Sequence, residues 1–194
     1  MSAPAAAVAA IPARPAVLGH LQARLSGARL KEALAFAEGF LAGLAAEDLD
    51  DRDPAVWSAL ILDLLEFART RTPGRCKVRV FNPVPGEHGW EGGHTVVQIV
   101  NDDMPFLVDS VGMAVAGQTA MVHCLIHPVH MATRDPGGHL LAVGAGNLAE
   151  SVIHMEVDRQ TEAEQLRQLK AAIENALADV RAAVADWATM RGRI

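Results

Sequence analysis

The chain has 194 residues, 51% hydrophobic and 21% charged, which is enough apolar material for a buried core in one domain or two small ones. A formal net charge of -6, a pI near 5.7 and the lack of any Lys/Arg cluster exclude the basic footprint of a nucleic-acid binder. No run reaches the roughly 18 uninterrupted apolar residues of a membrane span, so a soluble, cytoplasmic chain is expected.

Residues 1–17 are rich in Ala and Pro and lack a basic start. Pro4, Pro12 and Pro15 interrupt any helical run, so the segment is a poor signal peptide and is expected to be a disordered tail. Residues 18–75 read as an N-terminal helical subdomain. Its first helix, from about Ala28 to Ala46, carries Leu30, Leu34, Ala37, Leu41 and Leu44 on one face. A second begins at Asp53-Pro54, where a capping carboxylate precedes a proline in the first turn, and buries Val56, Trp57, Leu60, Ile61, Leu64 and Phe67. Thr72-Pro73-Gly74 stops it.

Residues 76–194 change character. Cys76 to Phe81 alternates Val78 and Val80 against Lys77 and Arg79, as a half-exposed strand does. A glycine-rich loop, Glu87 to Gly93, leads to a strand from His94 to Val100. The next segment, Ile99 to Val111, runs from that strand through an acidic turn and a proline into a helix with Leu107, Val108, Val111 and Val115 inside, ended by Gly117. Met121 to Met131, His139 to Val143 and Ser151 to Asp158 read as further strands. Thr161 with Glu164 spells a capping box that opens a long last helix with the stripe Leu166, Leu169, Ile173, Leu177, Val180, Val184 and Trp187. That helix is too long for one sheet to cover, so its C-terminal half is expected to self-associate or dock elsewhere. From His94 the order is most of a βαββαβ unit without its final strand, and CKVRVF is positioned to pair at the edge in its place.

Four groups of residues are weighed as sites. Val143 to Ala149 spells GxGxxA, but a strand follows where a dinucleotide site needs a helix, so a loop is expected. Five of the eight histidines lie between His123 and His154. On a strand His123 and His127 share a face while His130 points away, so these three do not converge as metal ligands, whereas His139 and His154 sit on strands that could adjoin. Cys76 and Cys124 lie in apolar runs without CxxC spacing, which predicts buried thiols rather than a disulfide or a zinc site. Asn101, Asp102 and Asp103 read first as turn and capping residues. With Met104, Pro105 and Phe106 they also form the candidate effector site, because unpaired amides at a helix start hold anions.

Read together, VRVFNP at Val78 to Pro83, HTVVQIVNDDMPFLVDSV at His94 to Val111, HCLIHPV at His123 to Val129 and ESVIHMEVDRQ at Glu150 to Gln160 resemble the N-terminal region of the large bacterial NAD-specific glutamate dehydrogenases. Phe67 to Gly74 and Asp179 to Trp187 are similar to that family too. The resemblance implies an α+β, ACT-like (ferredoxin-like) βαββα fold, an open antiparallel sheet with helices on one face, preceded by the helical pair. It implies a parent that oxidatively deaminates glutamate to 2-oxoglutarate and ammonia with NAD, in a cytoplasmic homo-oligomer. The segment itself would hold no catalytic residue, cofactor or metal, and would work as a regulatory and assembly domain partnered by the remaining domains. ACT domains commonly bind amino acids at a D-x-P-G-like turn. This chain has Asp103-Met104-Pro105-Phe106, and Phe106 is expected to fill the ligand's space or pack into a neighbouring domain. The alternative function is a stand-alone ACT-type sensor of amino acids.

Overall fold

A computed structural model describes residues 13–118 and 121–191. Four helical segments come first: α1 (Ala13–Arg24), α2 (Gly27–Ala42), α3 (Ala46–Asp50) and α4 (Pro54–Ala68). The tail expected over residues 1–17 overlaps α1. Residues from Ala13 onward are helical and Val17 is fully buried, because Pro15 falls in the first turn of α1, where a missing amide proton costs no bond. Residues 1–12 lie outside the described residues. At α4 the expected start is present: Ala55 N donates to Asp53 Oδ1 at 2.7 Å, with Pro54 in the first position.

Six strands follow: β1 (Lys77–Phe81), β2 (Thr95–Asp102), β3 (Val122–Ile126), β4 (Val129–Arg134), β5 (Leu140–Val143) and β6 (Leu148–Val157). Three helices are interleaved: α5 (Pro85–His88), α6 (Leu107–Ala116) and α7 (Ala163–Arg191). The sheet runs β1-β2-β6-β4-β5, with β3 also pairing β6, and every pairing is antiparallel. β1 lies at the edge beside β2, Val78 opposite Ile99, where the sequence places CKVRVF.

Two departures from the sequence reading matter for the site. The single strand expected from Met121 to Met131 is broken at His127-Pro128, since proline has no amide proton for the ladder. The Pro128 carbonyl still accepts from Val152 N at 2.9 Å, and pairing resumes with Val129 opposite Ser151. β6 also begins at Leu148 rather than Ser151, which extends β2 to match. Asn101 and Asp102, expected in a turn, are therefore strand residues opposite Ser151 and Glu150.

The central strands are covered on both faces, which is why residues 95–101 are buried without interruption and show no alternation. Val96, Val100 and Val152 pack with Phe36, Phe40, Trp57 and Leu60 of the N-terminal helices. Val97, Ile99, Ile153 and Met155 pack on the opposite side with Leu107, Val111 and Val115 of α6 and Leu169, Ile173 and Leu177 of α7. Helices α6 and α7 thus share one face, as expected, while α1–α4 occupy the other. Burial of each large apolar side chain here stabilises by about 1.5–3 kcal/mol.

α7 has 29 residues, roughly 44 Å at 1.5 Å per residue. Its stripe is buried from Leu169 to Val180, with Val184 at the margin. The side chain of Trp187 lies outside the described residues. The expected capping box is replaced: Gln165 Oε1 accepts from Glu162 N at 3.3 Å, while Glu164 engages Arg167 and Gln168.

Candidate functional site

The strand-to-helix junction is built from the end of β2 and the start of α6, and its polar groups are engaged from three directions. Arg71, just after α4, has a fully buried side chain and donates through Nη2 to Asp102 Oδ1 at 2.7 Å. Arg181 of α7 donates to Asp102 Oδ2 at 2.8 Å and to Asn101 Oδ1 at 2.7 Å. Burial alone would raise the Asp102 carboxyl, but hydrogen bonds and charge from Arg71 and Arg181 outweigh it and hold it below the ordinary carboxylate range. Behind Asp102, Glu150 accepts from Arg71 Nε at 2.9 Å and from Arg134 Nε and Nη2 at 2.7 and 2.8 Å. Three arginines and two carboxylates thus tie α4, β2, β4, β6 and α7 into one network.

Asp103 is bound separately. Its amide donates to the Ala149 carbonyl at 2.9 Å and its Oδ1 accepts from Ser151 Oγ at 2.6 Å. His127 Nε2 lies 3.0 Å from the same hydroxyl. These are the residue types of a nucleophilic triad in the wrong order. The Ser151 proton points to the carboxylate, so His127 must donate to the hydroxyl and cannot withdraw a proton from it. Burial also pushes the His127 imidazole below its ordinary range.

The remaining junction residues diverge. Met104 packs at the margin of the α6–α7 core, and Pro105 is exposed. Phe106 occupies the N-cap of α6 with φ 68°, the only left-handed non-glycine among the described residues, and is 68% exposed. Its ring faces solvent rather than packing into the junction. Among the six candidate residues, then, Asn101, Asp102 and Asp103 serve internal bonds and Phe106 faces solvent.

The histidines separate as well. His123 Nε2 meets Asp158 at 2.7 Å, and its ring stacks on His94 with centroids 4.1 Å apart. His139 pairs with Asp135 at 2.9 Å and His154 with Glu156 at 3.1 Å, so these two do not converge. His130 stacks on Phe36 of α2 with centroids 4.7 Å apart, its Nε2 buried without a partner, and burial pushes its pKa down to about 4. No group of three or more His, Cys, Asp or Glu among the described residues could hold a metal ion. The thiols of Cys76 and Cys124 are free and half-buried, and burial raises that of Cys124 to about 11. The glycines of GxGxxA lead directly into β6, and a Cβ on Gly146, at φ 154°, would collide with the Ala132 carbonyl.

A second polar chain crosses the same face of the sheet farther along β2 and β6, beneath α1–α4. Arg79 donates to Asp63 Oδ2 and to Gln98 Oε1, each at 2.7 Å. Gln98 Nε2 lies 3.3 Å from His154 Nδ1, and His154 Nε2 lies 3.1 Å from Glu156 Oε1, an order that requires a neutral Nε2–H tautomer. Arg52 grips Glu156 from the helical layer, with Nη2 donating at 2.8 Å and Nη1 2.8 Å from the other oxygen. Burial would raise the Glu156 carboxyl, but the His154 and Arg52 bonds bring it down to about 2. No local pattern announces either network, although Arg71, Arg79, Gln98, His154 and Glu156 all lie in the segments that carry the family resemblance.

These observations define a layered α+β domain whose buried charges pair mainly with one another and whose helix–sheet junction is cross-braced. The chain belongs to the glutamate dehydrogenase ACT1 domain family, whose model matches residues 36–173. It is 35% identical over 180 residues to an NAD-specific glutamate dehydrogenase of Halomonas elongata, covering 90% of this chain and 11% of that protein. A protein of the same description from Pseudomonas aeruginosa is 31% identical over 179 residues, covering 89% of this chain and again 11% of the relative. The chain thus spans about a tenth of the length of these relatives. No helix among the described residues is long and apolar enough to cross a membrane.

Proposed function

We propose that this chain is a non-catalytic regulatory and assembly domain from the N-terminal region of a large NAD-dependent glutamate dehydrogenase. The parent reaction would convert L-glutamate and NAD to 2-oxoglutarate and ammonia, with NAD bound elsewhere in the parent. The observation that carries this reading is the ACT1 match over residues 36–173, set against relatives of which the matched part is 11%. In this reading residues 76–194 are the ACT-like βαββα unit, with β1 standing where a final strand would pair, and residues 18–75 are its helical cover. The exposed Phe106 and the C-terminal half of α7 dock on other domains of a cytoplasmic homo-oligomer. An amino-acid effector at Asn101 to Phe106 would have to displace Arg71, Arg181 or Ser151 from the bonds they make there, so the junction acts chiefly as a brace.

The test is to purify the 194-residue chain, supply glutamate and NAD, and follow NADH absorbance. No turnover is expected. In parallel, the parent enzyme lacking residues 36–173 is expected to keep its chemistry while its oligomeric mass or its effector response changes. Turnover by the chain alone, or a deletion that alters neither property, overturns the reading.

A further inference from the structure

Beside the braced junction lies a cleft of about 290 Å³ lined by Thr70, Arg71, Thr72, Arg75 and Cys76 of the α4–β1 loop, by Lys77 at the start of β1 and by Gly137 of the β4–β5 turn. Its walls are fixed by backbone bonds. Arg71 N donates to the Gly138 carbonyl at 2.9 Å, Leu140 N donates to Arg69 O at 2.8 Å, and Arg75 N donates to Thr72 O at 3.1 Å. Gly138 has φ 84° and lies so close to the Arg71 carbonyl that a Cβ there would collide with it. The loop and the turn are thus held against each other as two sides of one groove.

The charges in this groove are not neutralised as they are elsewhere. Lys77 Nζ donates to the Phe67 carbonyl at 2.7 Å and to Thr70 Oγ1 at 3.1 Å, both neutral acceptors, and stands 4.6 Å from the centre of the Phe67 ring. The Arg75 guanidinium is exposed and has no ion pair or hydrogen bond among the described residues. No carboxylate lines the cleft. The carboxylates acting on its groups stand outside its wall: Glu66, which acts on Lys77, meets Arg69 at 3.2 Å beside Glu32, and Glu174, which acts on Cys76, lies 3.8 Å from Lys170. In a chain of net charge -6, two cations and two threonine hydroxyls lining one groove with no carboxylate in its wall make a receptor for an anion.

We infer that this cleft binds a small dicarboxylate, with Arg75 clasping one carboxylate through its planar fork and Lys77 with the Thr70 and Thr72 hydroxyls meeting the other. The volume is about ten times the ~30 Å³ share of one water, which leaves room for a small diacid. Arg71 supplies the link to the rest of the fold. It donates from Nη1 to the Arg75 carbonyl at 3.0 Å and from Nη2 to Asp102, so a ligand that orders the Arg75 loop bears directly on the start of α6. This inference rests on the regulatory-domain reading and places its effector beside the Asn101 to Phe106 junction rather than on it.

Isothermal titration of the 194-residue chain with 2-oxoglutarate tests it, with inorganic phosphate and sodium chloride at matched ionic strength as separate arms. Saturable one-to-one binding of 2-oxoglutarate is expected, weakened at least tenfold in Arg75→Gln and in Lys77→Gln. Arg75 lies on an exposed loop, so its variant should keep the parent's circular dichroism and urea midpoint and reports on binding alone. Absence of saturable heat, equal binding of phosphate or chloride, or undiminished binding by a folded Arg75→Gln overturns the inference. Such a result leaves the regulatory-domain reading standing, because that reading falls on turnover measured with the same preparation.

Discussion

Replacing Glu150 by glutamine keeps the volume of the side chain and removes the charge that two buried guanidiniums share. Glu150 is 3% exposed, and the Arg71 and Arg134 side chains beside it are 0% and 2% exposed, so water cannot substitute for the lost carboxylate. Arg134 also holds the Ala68 and Gly138 carbonyls at 2.8 Å each and is not free to swing out to solvent. Removing one partner of a buried pair costs about 3–5 kcal/mol, a large part of the ~5–15 kcal/mol that holds a typical domain together. For a chain of this size that corresponds to a fall in Tm of roughly 6–20 °C. Urea denaturation followed by circular dichroism, with calorimetry alongside, measures both. A loss below about 1 kcal/mol, the size of an exposed pair, refutes the assignment of Glu150 as the counter-charge of a dry network. Glu150→Met combined with Arg134→Met should recover part of the loss, because position 134 then leaves no guanidinium buried without its partner.

Four further outcomes are expected. His130 sits at about 4 against an ordinary 6.5, so the unfolded chain takes up this proton first; stability falls by about 3 kcal/mol as pH drops from 6.5 to 4, and urea midpoints across that range should flatten in His130→Phe. Glu156, at about 2 against 4.5, contributes stability that is present above pH 4.5 and lost as pH falls towards 2, so Glu156→Gln should lower the neutral-pH midpoint and flatten that lower limb. A Cβ on Gly39 of α2 would press into the His130 ring, 2.9 Å from Nδ1, so Gly39→Ala should destabilise by about 1–3 kcal/mol in the parent and be neutral or stabilising in His130→Ala; equal costs in both backgrounds refute the contact. Phe106→Gly relieves a left-handed backbone without removing buried area, and should change stability by no more than about 1 kcal/mol, on the stabilising side; a loss above 2 kcal/mol would mean the ring is packed rather than exposed.

What could be read from the sequence was what neighbouring residues decide among themselves. Asp53-Pro54 caps α4, and the alternation of CKVRVF finds its edge beside β2, because capping and pleat alternation act within a few residues. The positions that fail are set by distant partners. Asn101 and Asp102 look like turn residues until β6 is found to begin early and extend the ladder opposite them. Arg71 and Glu150 are separated by 79 residues, as are Asp102 and Arg181, so no local pattern announces either pair. α1 escaped notice because its buried stripe is only Val17 and Leu21 within an Ala/Pro-rich stretch. Met121 to Met131 reads as one strand because its residues favour pleating, yet Pro128 lacks the amide proton the ladder needs and divides it into β3 and β4.

The junction and the basic cleft are two sides of one guanidinium. Arg71 is fixed by Glu150 and Asp102 on its buried side and holds the Arg75 carbonyl on its exposed side, so the buried carboxylates neutralise Arg71 and leave Arg75 and Lys77 outside their reach. A carboxylate at the junction itself would meet Asp102 and Asp103 and be repelled, whereas the wall of the cleft holds cations and hydroxyls and no carboxylate. The same acidic residues that made Ile99 to Val111 conspicuous in the sequence are therefore the reason an anionic effector would sit next to that segment and act on it through Arg71.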